Sequence, residues 1–304
     1  MKRRHDEIAS IKREESYSKI WFRKTLQLLE KKEIHFKSVI DTGAGKGEFL
    51  EILNDKFNDL QLFAVDYTDT NLEVLASKKI NTINLDLDNF ELEGLAYLKN
   101  KFDLVICLEV VEHIFDLDRL FLLFNYILKN DGHLLVSTPN MASFSARLFY
   151  LLRGYPYEEN HHVRFLTKRR IEQYSFFTGF NVIEYNNYFA FSLDIIKRGF
   201  GIRNKYLVYS LALLLFGPFY LFSKLGILNS WSNSHMVLLA QKSNLPPLGM
   251  EFHNFKTNFE NLSGDAQKIW KARIKGYLKQ DKMKEHIYFR SYLIDIVSGN
   301  RGRN

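Results

Sequence analysis

The alternation of apolar and polar stretches divides the 304-residue chain into distinct parts. Residues 1–36 carry spaced apolar positions among charged ones, the pattern of helices that lead into a first strand. From residue 37 to residue 140, short apolar runs alternate with amphipathic segments, which predicts parallel strands covered on both faces by helices. Two more strands are predicted at residues 180–185 and 235–240. The predicted fold class is therefore α/β, with a doubly wound sheet.

About fifty residues separate the last two predicted strands, where a short hairpin would be enough. Within this insertion, residues 206–223 contain no charged residue. Their number falls in the range of a membrane span, roughly 17–25 residues, but Gly217-Pro218 is expected to break a helix. A single crossing would also place two strands of one sheet on opposite sides of a bilayer. Several interpretations remain: an amphipathic helical hairpin on a membrane surface, an apolar lid over a greasy substrate, or a helical pair packed on the core or on a second subunit.

The end of the chain differs in composition from the rest. Residues 242–304 hold twelve Lys or Arg against six Asp or Glu, whereas the whole chain has a net charge of +7. Most of the excess charge therefore belongs to a C-terminal extension, which argues against a basic nucleic-acid groove across the preceding domain. Residues 265–297 predict one or two amphipathic helices that brace a dimer, face anionic lipid or pack on the sheet.

Cysteine usage and the N-terminus favour a cytoplasmic protein. The single cysteine, Cys107, lies in a predicted buried strand, so a disulfide framework is impossible and a reducing compartment is expected. The charged first residues lack the apolar core of a secretory signal.

Residues 39–50, V-I-D-T-G-A-G-K-G-E-F-L, carry the clearest chemical pattern. A strand is expected to stop at Asp41, a tight turn with Gly43 and Gly45 follows, and a helix begins near Gly47. Glycines are needed where a backbone takes unusual dihedral angles and approaches a ligand closely, and a helix N-terminus offers free N–H groups. Because Asp41 would repel a pyrophosphate but can receive a cation, the motif favours a sulfonium cofactor over a dinucleotide.

This motif resembles the first motif of class I S-adenosylmethionine (SAM)-dependent methyltransferases, an acid followed by G-x-G-x-G. Further landmarks follow in the family's order: L-F-A-V-D at 62–66, N-L-D-L-D at 84–88, F-D-L-V-I-C-L-E-V-V-E-H-I at 102–114 and G-H-L-L-V-S-T-P-N at 132–140. The resemblance spans residues 17–242. It implies a Rossmann-like sheet of seven mostly parallel strands whose seventh strand is inserted antiparallel, and it implies SAM as the cofactor.

The resemblance also implies cofactor-binding residues. Asp66 would hold the ribose hydroxyls, Tyr67 would cover the adenine, and Asp86 would read the adenine amino group. Arg23, in a W-F-R stretch similar to one ahead of the first motif in many small-molecule methyltransferases, is either a ligand of the SAM carboxylate or a surface arginine. The full set of cofactor-binding candidates is Asp41, Gly43, Gly45, Gly47, Asp66, Tyr67, Asp86, Leu87, Leu108 and Arg23.

The string L-E-V-V-E-H-I after the fourth predicted strand offers residues for chemistry on a hydroxyl. Methyl transfer demands alignment and an electron-rich acceptor, and a hydroxyl must also lose its proton to a base or on a metal. If residues 109–114 open a helix, Glu109, Glu112 and His113 share one face. Two carboxylates and an imidazole suit Mg²⁺ or Mn²⁺, and Zn²⁺ less well.

The E-V-V-E-H string is similar to that of the ubiquinone-biosynthesis O-methyltransferases and of the small-RNA 3′-terminal 2′-O-methyltransferases, where the corresponding residues are metal ligands. The RNA enzymes add a histidine after the fifth strand, a position that His161 or His162 fills here. The candidate metal ligands are Glu109, Glu112, His113 and His162, and the candidate catalytic residues are His113, Glu112, His161 and His162. Alternatively, His113 is a metal-free base or pocket residue, or has a structural role.

The function predicted from these features is SAM-dependent O-methylation of an apolar, lipid-linked or glycan acceptor near a membrane surface. Peripheral contact with the inner face of a membrane through residues 206–223 and a homodimer are further expectations. An RNA 2′-hydroxyl acceptor is an alternative, disfavoured because the catalytic loops lack clustered aromatics and arginines; a non-catalytic SAM-binding scaffold is another. The predicted organisation is N-terminal helices (1–36), a methyltransferase domain (37–242) with a hydrophobic insertion (188–233), and a basic helical extension (243–304).

Overall fold

A seven-stranded sheet is the framework of the computed structural model, which describes residues 22–155, 162–188, 196–197, 200–202, 204–225, 234–249, 252–279, 293–294 and 296–298. The strands are β1 (Ser38–Thr42), β2 (Gln61–Asp66), β3 (Asn81–Asn84), β4 (Phe102–Leu108), β5 (Leu128–Pro139), β6 (Phe180–Tyr188) and β7 (His235–Lys242). Their order is β3-β2-β1-β4-β5-β7-β6. The pairs among β1 to β5 are parallel, and β7 pairs antiparallel with both β5 and β6. The predicted doubly wound, mostly parallel sheet is confirmed.

Helices lie between and after the strands. They are α1 (residues 22–31), α2 (Glu48–Lys56), α3 (Asp69–Ser77), α4 (Leu117–Ile127), α5 (Phe144–Arg153), α6 (Lys168–Phe177), α7 (Lys205–Lys224), α8 (Phe252–Glu260) and α9 (Gly264–Lys279), with 3-10 helices at Leu92–Leu98 and Val111–His113. Of the N-terminal segment predicted to be helical, residues 1–21 lie outside the described part of the chain.

Both faces of the sheet are buried, which explains the unbroken apolar character of its central strands. In β4, Leu104 and Ile106 belong to one hydrophobic cluster, whereas Val105 and Cys107 belong to the other. The first cluster is completed by α1, α2 and α3, and the second by α4, α6, α8 and α9. Cys107 is fully buried as a small core residue, as its predicted strand implied.

The C-terminal extension is part of this core. Trp270 and Ile274 of α9 are fully buried in the second cluster, and the Trp270 Nε1–H donates to the Pro246 carbonyl oxygen at 3.0 Å. Arg273 donates to the carbonyl oxygen of Phe180 at 2.8 Å. Of the roles considered for the extension, packing on the sheet is therefore the one that α9 performs.

The insertion between β6 and β7 differs from its prediction in one respect. A break was expected at Gly217-Pro218, but α7 continues through Pro218 from Lys205 to Lys224. Proline in a helix interior costs about 3 kcal/mol, since its ring clashes with the carbonyl four residues earlier. Both Pro218 and Leu214 lie on the exposed side of α7. The Pro218 ring and the Leu214 carbonyl group can therefore move apart without displacing packed side chains. The predicted helical hairpin is wrong for these residues, which form one helix.

Candidate functional site

The glycine turn links the carboxyl end of β1 to α2. It follows Thr42, and Gly47 precedes the helix in a left-handed conformation, as the sequence predicted within one residue. Gly43 has φ +84°, and a Cβ there would lie 2.4 Å from Cγ2 of Val110, so packing excludes a side chain. Gly45 has φ +54° but would meet no atom within 4 Å. The backbone at Gly45 therefore borders open space in which a ligand can approach it.

Two acids flank this turn. The Asp66 carboxylate accepts from the backbone N–H groups of Gly45 at 3.0 Å and Thr68 at 2.9 Å, which fixes it across from the turn. Asp41 is buried at the end of β1, and burial together with the neighbouring Asp66 charge raises its pKa from 3.8 to about 7. The pair forms a negatively polarised edge suited to a ligand that carries a positive charge and hydroxyl groups.

The other cofactor candidates lie along the same carboxyl edge or close to it. Tyr67 follows β2 with an exposed side chain, and Leu108 ends β4. Asp66 is paired in register with Asn84, two residues before the exposed Asp86, whose Oδ1 accepts from the Asp88 N–H at 2.9 Å. Leu87 is buried beside Asp86, and Arg23 lies on the exposed side of α1. The carboxyl ends of β1, β2 and β3 thus bring the three predicted acids to one edge.

The segment after β4 does not open a helix as expected. Glu109 has φ +54°, a left-handed conformation, and only Val111–His113 form a short 3-10 helix. Because the chain turns sharply at Glu109, its side chain does not share a face with Glu112 and His113.

Glu109 instead faces the neighbouring strands. Its Oε1 accepts from Ser137 Oγ at 2.9 Å, and its Oε2 lies 3.7 Å from Nε2 of His235. Sequence reasoning missed Ser137 and His235 as neighbours of this acid. The signal that could have found His235 is the family's strand order, which places the start of β7 against the end of β5, where Pro139 pairs with His235.

Three of the predicted side chains do come together. Glu112, His113 and His162 each offer a ligand atom, and these atoms lie within 4.8 Å of one another. The imidazole rings of His113 and His162 are 4.8 Å apart at an angle of 74°. The cluster is held by the Glu112 carbonyl oxygen, which accepts from the N–H groups of both Val163 and Arg164 at 3.0 Å.

Three of the four predicted metal ligands belong to this cluster. Glu109 lies outside the cluster of Glu112, His113 and His162. His162 is the member of the histidine pair that meets the cluster, while His161 lies outside the described residues. Glu112 is buried, His162 is half-buried and His113 is exposed. The cluster therefore has its carboxylate in the protein interior and is accessible to solvent at His113.

Comparisons with known proteins identify the family to which the chain belongs. The family model described as a methyltransferase domain matches residues 13–185, more than half of the chain. Among solved structures, the chain is similar to a SAM-dependent methyltransferase from Archaeoglobus fulgidus, at 17% identity over 72% of this chain and 92% of that chain, with a TM-score of 0.47. A putative methyltransferase from Bacillus halodurans is 15% identical over 73% of this chain and 99% of that chain, with a TM-score of 0.49. The comparison with curated proteins gave no match.

The family assignment depends on the match to the methyltransferase domain, which contains the glycine turn, the Asp41–Asp66 pair and the segment after β4. The strand order, with β7 inserted antiparallel beside β5, is independent of that match and is the one that the first motif led us to expect. The chain belongs to the class I SAM-dependent methyltransferases, a family whose cofactor is S-adenosylmethionine.

Proposed function

We propose that this methyltransferase transfers the methyl group to a hydroxyl oxygen. The observation that supports the proposal is the cluster of Glu112, His113 and His162. Glu112 and His113 lie in the 3-10 helix just after β4, and His162 comes from the segment between α5 and α6. β4 pairs with β1, so the cluster lies beside the edge that carries Asp41 and the glycine turn. A hydroxyl becomes a good nucleophile only when its proton is taken up, and two imidazoles and a carboxylate supply groups that do this near neutral pH.

The donor set of the cluster fits a divalent metal ion. One carboxylate and two imidazoles match the preferences of Mn²⁺ and neighbouring transition metals, whereas Mg²⁺ prefers oxygen ligands throughout. We therefore propose Mn²⁺ ahead of Mg²⁺, held by Glu112, His113 and His162. A bound ion would lower the pKa of an acceptor hydroxyl. Glu112, being buried, would fix the position of the site, and exposed His113 would face the acceptor.

Metal removal tests this proposal. We expect EDTA to abolish methyl transfer to a hydroxyl acceptor, Mn²⁺ to restore it, and His162→Ala to lose both activity and Mn²⁺ binding while SAM still binds. His35→Ala, a histidine outside the cluster, is the control. Full activity in EDTA together with loss of activity in His113→Ala would replace the metal with His113 as a metal-free base.

The acceptor that we propose is apolar, lipid-linked or glycan in nature. Its support is the apolar surface of α5 and α7. α5 starts a few residues after the carboxyl end of β5, and Met141, just before α5, donates its N–H to the carbonyl oxygen of Leu166, four residues after His162. Incubation of lipid and glycan extracts with isotope-labelled SAM, followed by mass spectrometry, would identify labelled products. Label on nitrogen or carbon atoms alone would contradict O-methylation.

One observation supports a second acceptor class, RNA, as much as it supports a lipid-linked sugar. Arg164, Arg169 and Arg170 line a cavity of about 310 Å³ at the N-terminal end of α6. Arg164 follows His162 by two residues, so this basic cavity borders the cluster. Guanidinium groups at a helix N-terminus suit phosphate, which is found in an RNA backbone as well as in a lipid-linked sugar. Label in RNA after a parallel incubation of total RNA with labelled SAM, together with unlabelled lipid and glycan extracts, would favour the RNA acceptor.

A further inference from the structure

Helices α5 and α7 form a third hydrophobic cluster, separate from the two that cover the sheet. Val208 and Phe216 of α7 are buried in it, and Phe144 and Leu148 of α5 pack against them. The rings of Phe144 and Phe219 stack with centroids 4.0 Å apart and planes 12° apart. These contacts join the two helices into one unit, which we call the α5–α7 platform.

The platform uses only one side of α7. On the other side of α7 the apolar side chains are exposed: Tyr206 by 72%, Leu213 by 75% and Leu214 by 71%. On α5, the side chain of Leu151 is 80% exposed. α7 has 20 residues, which corresponds to about 30 Å of helix. Single exposed apolar residues are ordinary, but a contiguous row of this length marks an interaction surface.

By length and composition alone, α7 is the one helix among the described residues that is long and apolar enough to cross a membrane. The sheet argues against a single crossing, because Tyr188 at the end of β6 pairs with His235 at the start of β7. The chain therefore leaves the sheet and returns to it at the same point. A helix in this position is expected to lie along a surface.

The charged residues of α5 and α7 themselves all have one sign. Residues 132–157 and 195–250, which contain α5 and α7, hold no Asp or Glu at all. Arg153 and Lys205 lie at the ends of α5 and α7 with exposed side chains, and Arg147 is exposed on α5. An apolar row on helices that carry cations and no acids complements the surface of an anionic bilayer, whose headgroups are anionic and whose interior is apolar.

We propose that the α5–α7 platform docks this protein onto the surface of an anionic lipid bilayer, with the exposed row of α7 in the headgroup region. The exposed tyrosines Tyr206, Tyr209 and Tyr220 suit that region, where an apolar ring meets water at its hydroxyl end. A second copy of the chain is a poorer occupant, because a two-fold interface would place the cations of α5 and α7 against each other, and neither helix carries an acid to pair with them. Docking does not require methyl transfer and is measured without it.

Vesicle binding tests the proposal on the full chain. We expect the protein to sediment with vesicles of phosphatidylglycerol and phosphatidylcholine but only weakly with phosphatidylcholine alone, and added salt to weaken the binding. The double variant Leu213→Glu/Leu214→Glu should bind at least tenfold more weakly. The control Tyr97→Glu/Ile269→Glu carries the same added charge at two exposed apolar positions elsewhere and should bind like the wild type.

A second variant separates charge from apolar contact and does not disturb the packed side of α7. Arg153→Glu/Lys205→Glu should lose the preference for anionic vesicles; circular dichroism and SAM binding establish that each variant is folded. Equal binding of wild type, Leu213→Glu/Leu214→Glu and control to anionic vesicles would overturn the proposal. So would a wild type that binds no vesicle and forms a dimer in sedimentation which Leu213→Glu/Leu214→Glu dissociates, since that result assigns the platform to a second copy.

Discussion

Asp41 lies buried at the end of β1, where its pKa of about 7 makes the cofactor edge sensitive to pH. Near pH 7 this carboxyl is protonated in a large part of the molecules. A bound sulfonium favours the ionised form, so SAM binding should expel the proton. We therefore expect SAM affinity to rise as the pH increases from about 5.5 to 7.5, with proton release across the same window.

Calorimetry in buffers of different ionisation enthalpy measures both the affinity and the released proton. The variant Asp41→Asn cannot ionise and should bind SAM more weakly with little dependence on pH. An unchanged pH profile in this variant would mean that another group titrates, and that Asp41 does not face the cofactor.

At this scale, local motifs were predictable and tertiary neighbours were not. Asp41, the glycine turn and Asp66 follow from the end of a strand and the needs of a turn, which are local properties of the sequence. The spacing suggested a helix with Glu109 and Glu112 on one face. The sequence did not reveal that Glu109 takes a left-handed conformation, which prevents a helix from beginning there. Likewise, only the folding of the 162–164 segment onto the Glu112 carbonyl oxygen places His162 in the cluster.

Among the elements, the strands were the easiest to predict and the insertion the hardest. Strands buried on both faces show as continuous apolar runs, and β6 and β7 begin where the sequence placed them. The proline rule wrongly divided α7, because the clash of the ring with the carbonyl four residues earlier can be relieved by a local change in the backbone where no packed side chain has to move. Pro218 lies on the exposed side of the helix.

Helix α9 offers a direct test of how the C-terminal extension is held. Trp270 is fully buried and hydrogen-bonded to the Pro246 carbonyl oxygen, whereas the adjacent Ile269 is 52% exposed. We expect Trp270→Ala to lower the free energy of unfolding by about 3–5 kcal/mol and Ile269→Ala by about 0.5 kcal/mol or less. Urea denaturation of the two neighbouring variants measures the difference. Similar values for both would mean that α9 does not pack on the sheet.

For the whole molecule, the strand order brings together residues that lie far apart in the chain. Parallel strands with their carboxyl ends on one edge place Asp41, Asp66 and Asp86 along that edge, although the sequence separates the first and last by forty-five residues. The motifs indicated this order through their resemblance to a family. The packing of α9 and the union of α5 with α7 could not be anticipated, since amphipathic periodicity shows that a helix has an apolar face but not what covers it.

The central claim is that Asp66 and the glycine turn hold the adenosyl group of SAM at the carboxyl edge of the sheet. Calorimetric titration of the full chain with SAM tests it most directly, with Asp69→Ala as a control at an exposed acid close by. We expect micromolar binding in the wild type and the control, and an affinity at least about 100-fold lower in Asp66→Ala, because that variant lacks the carboxylate that we expect to accept from both ribose hydroxyls. Asp66→Asn, which keeps the shape and can still accept from the Gly45 N–H, should also weaken binding. Wild-type affinity in both Asp66 variants, or no binding of SAM by the wild type, would contradict the account.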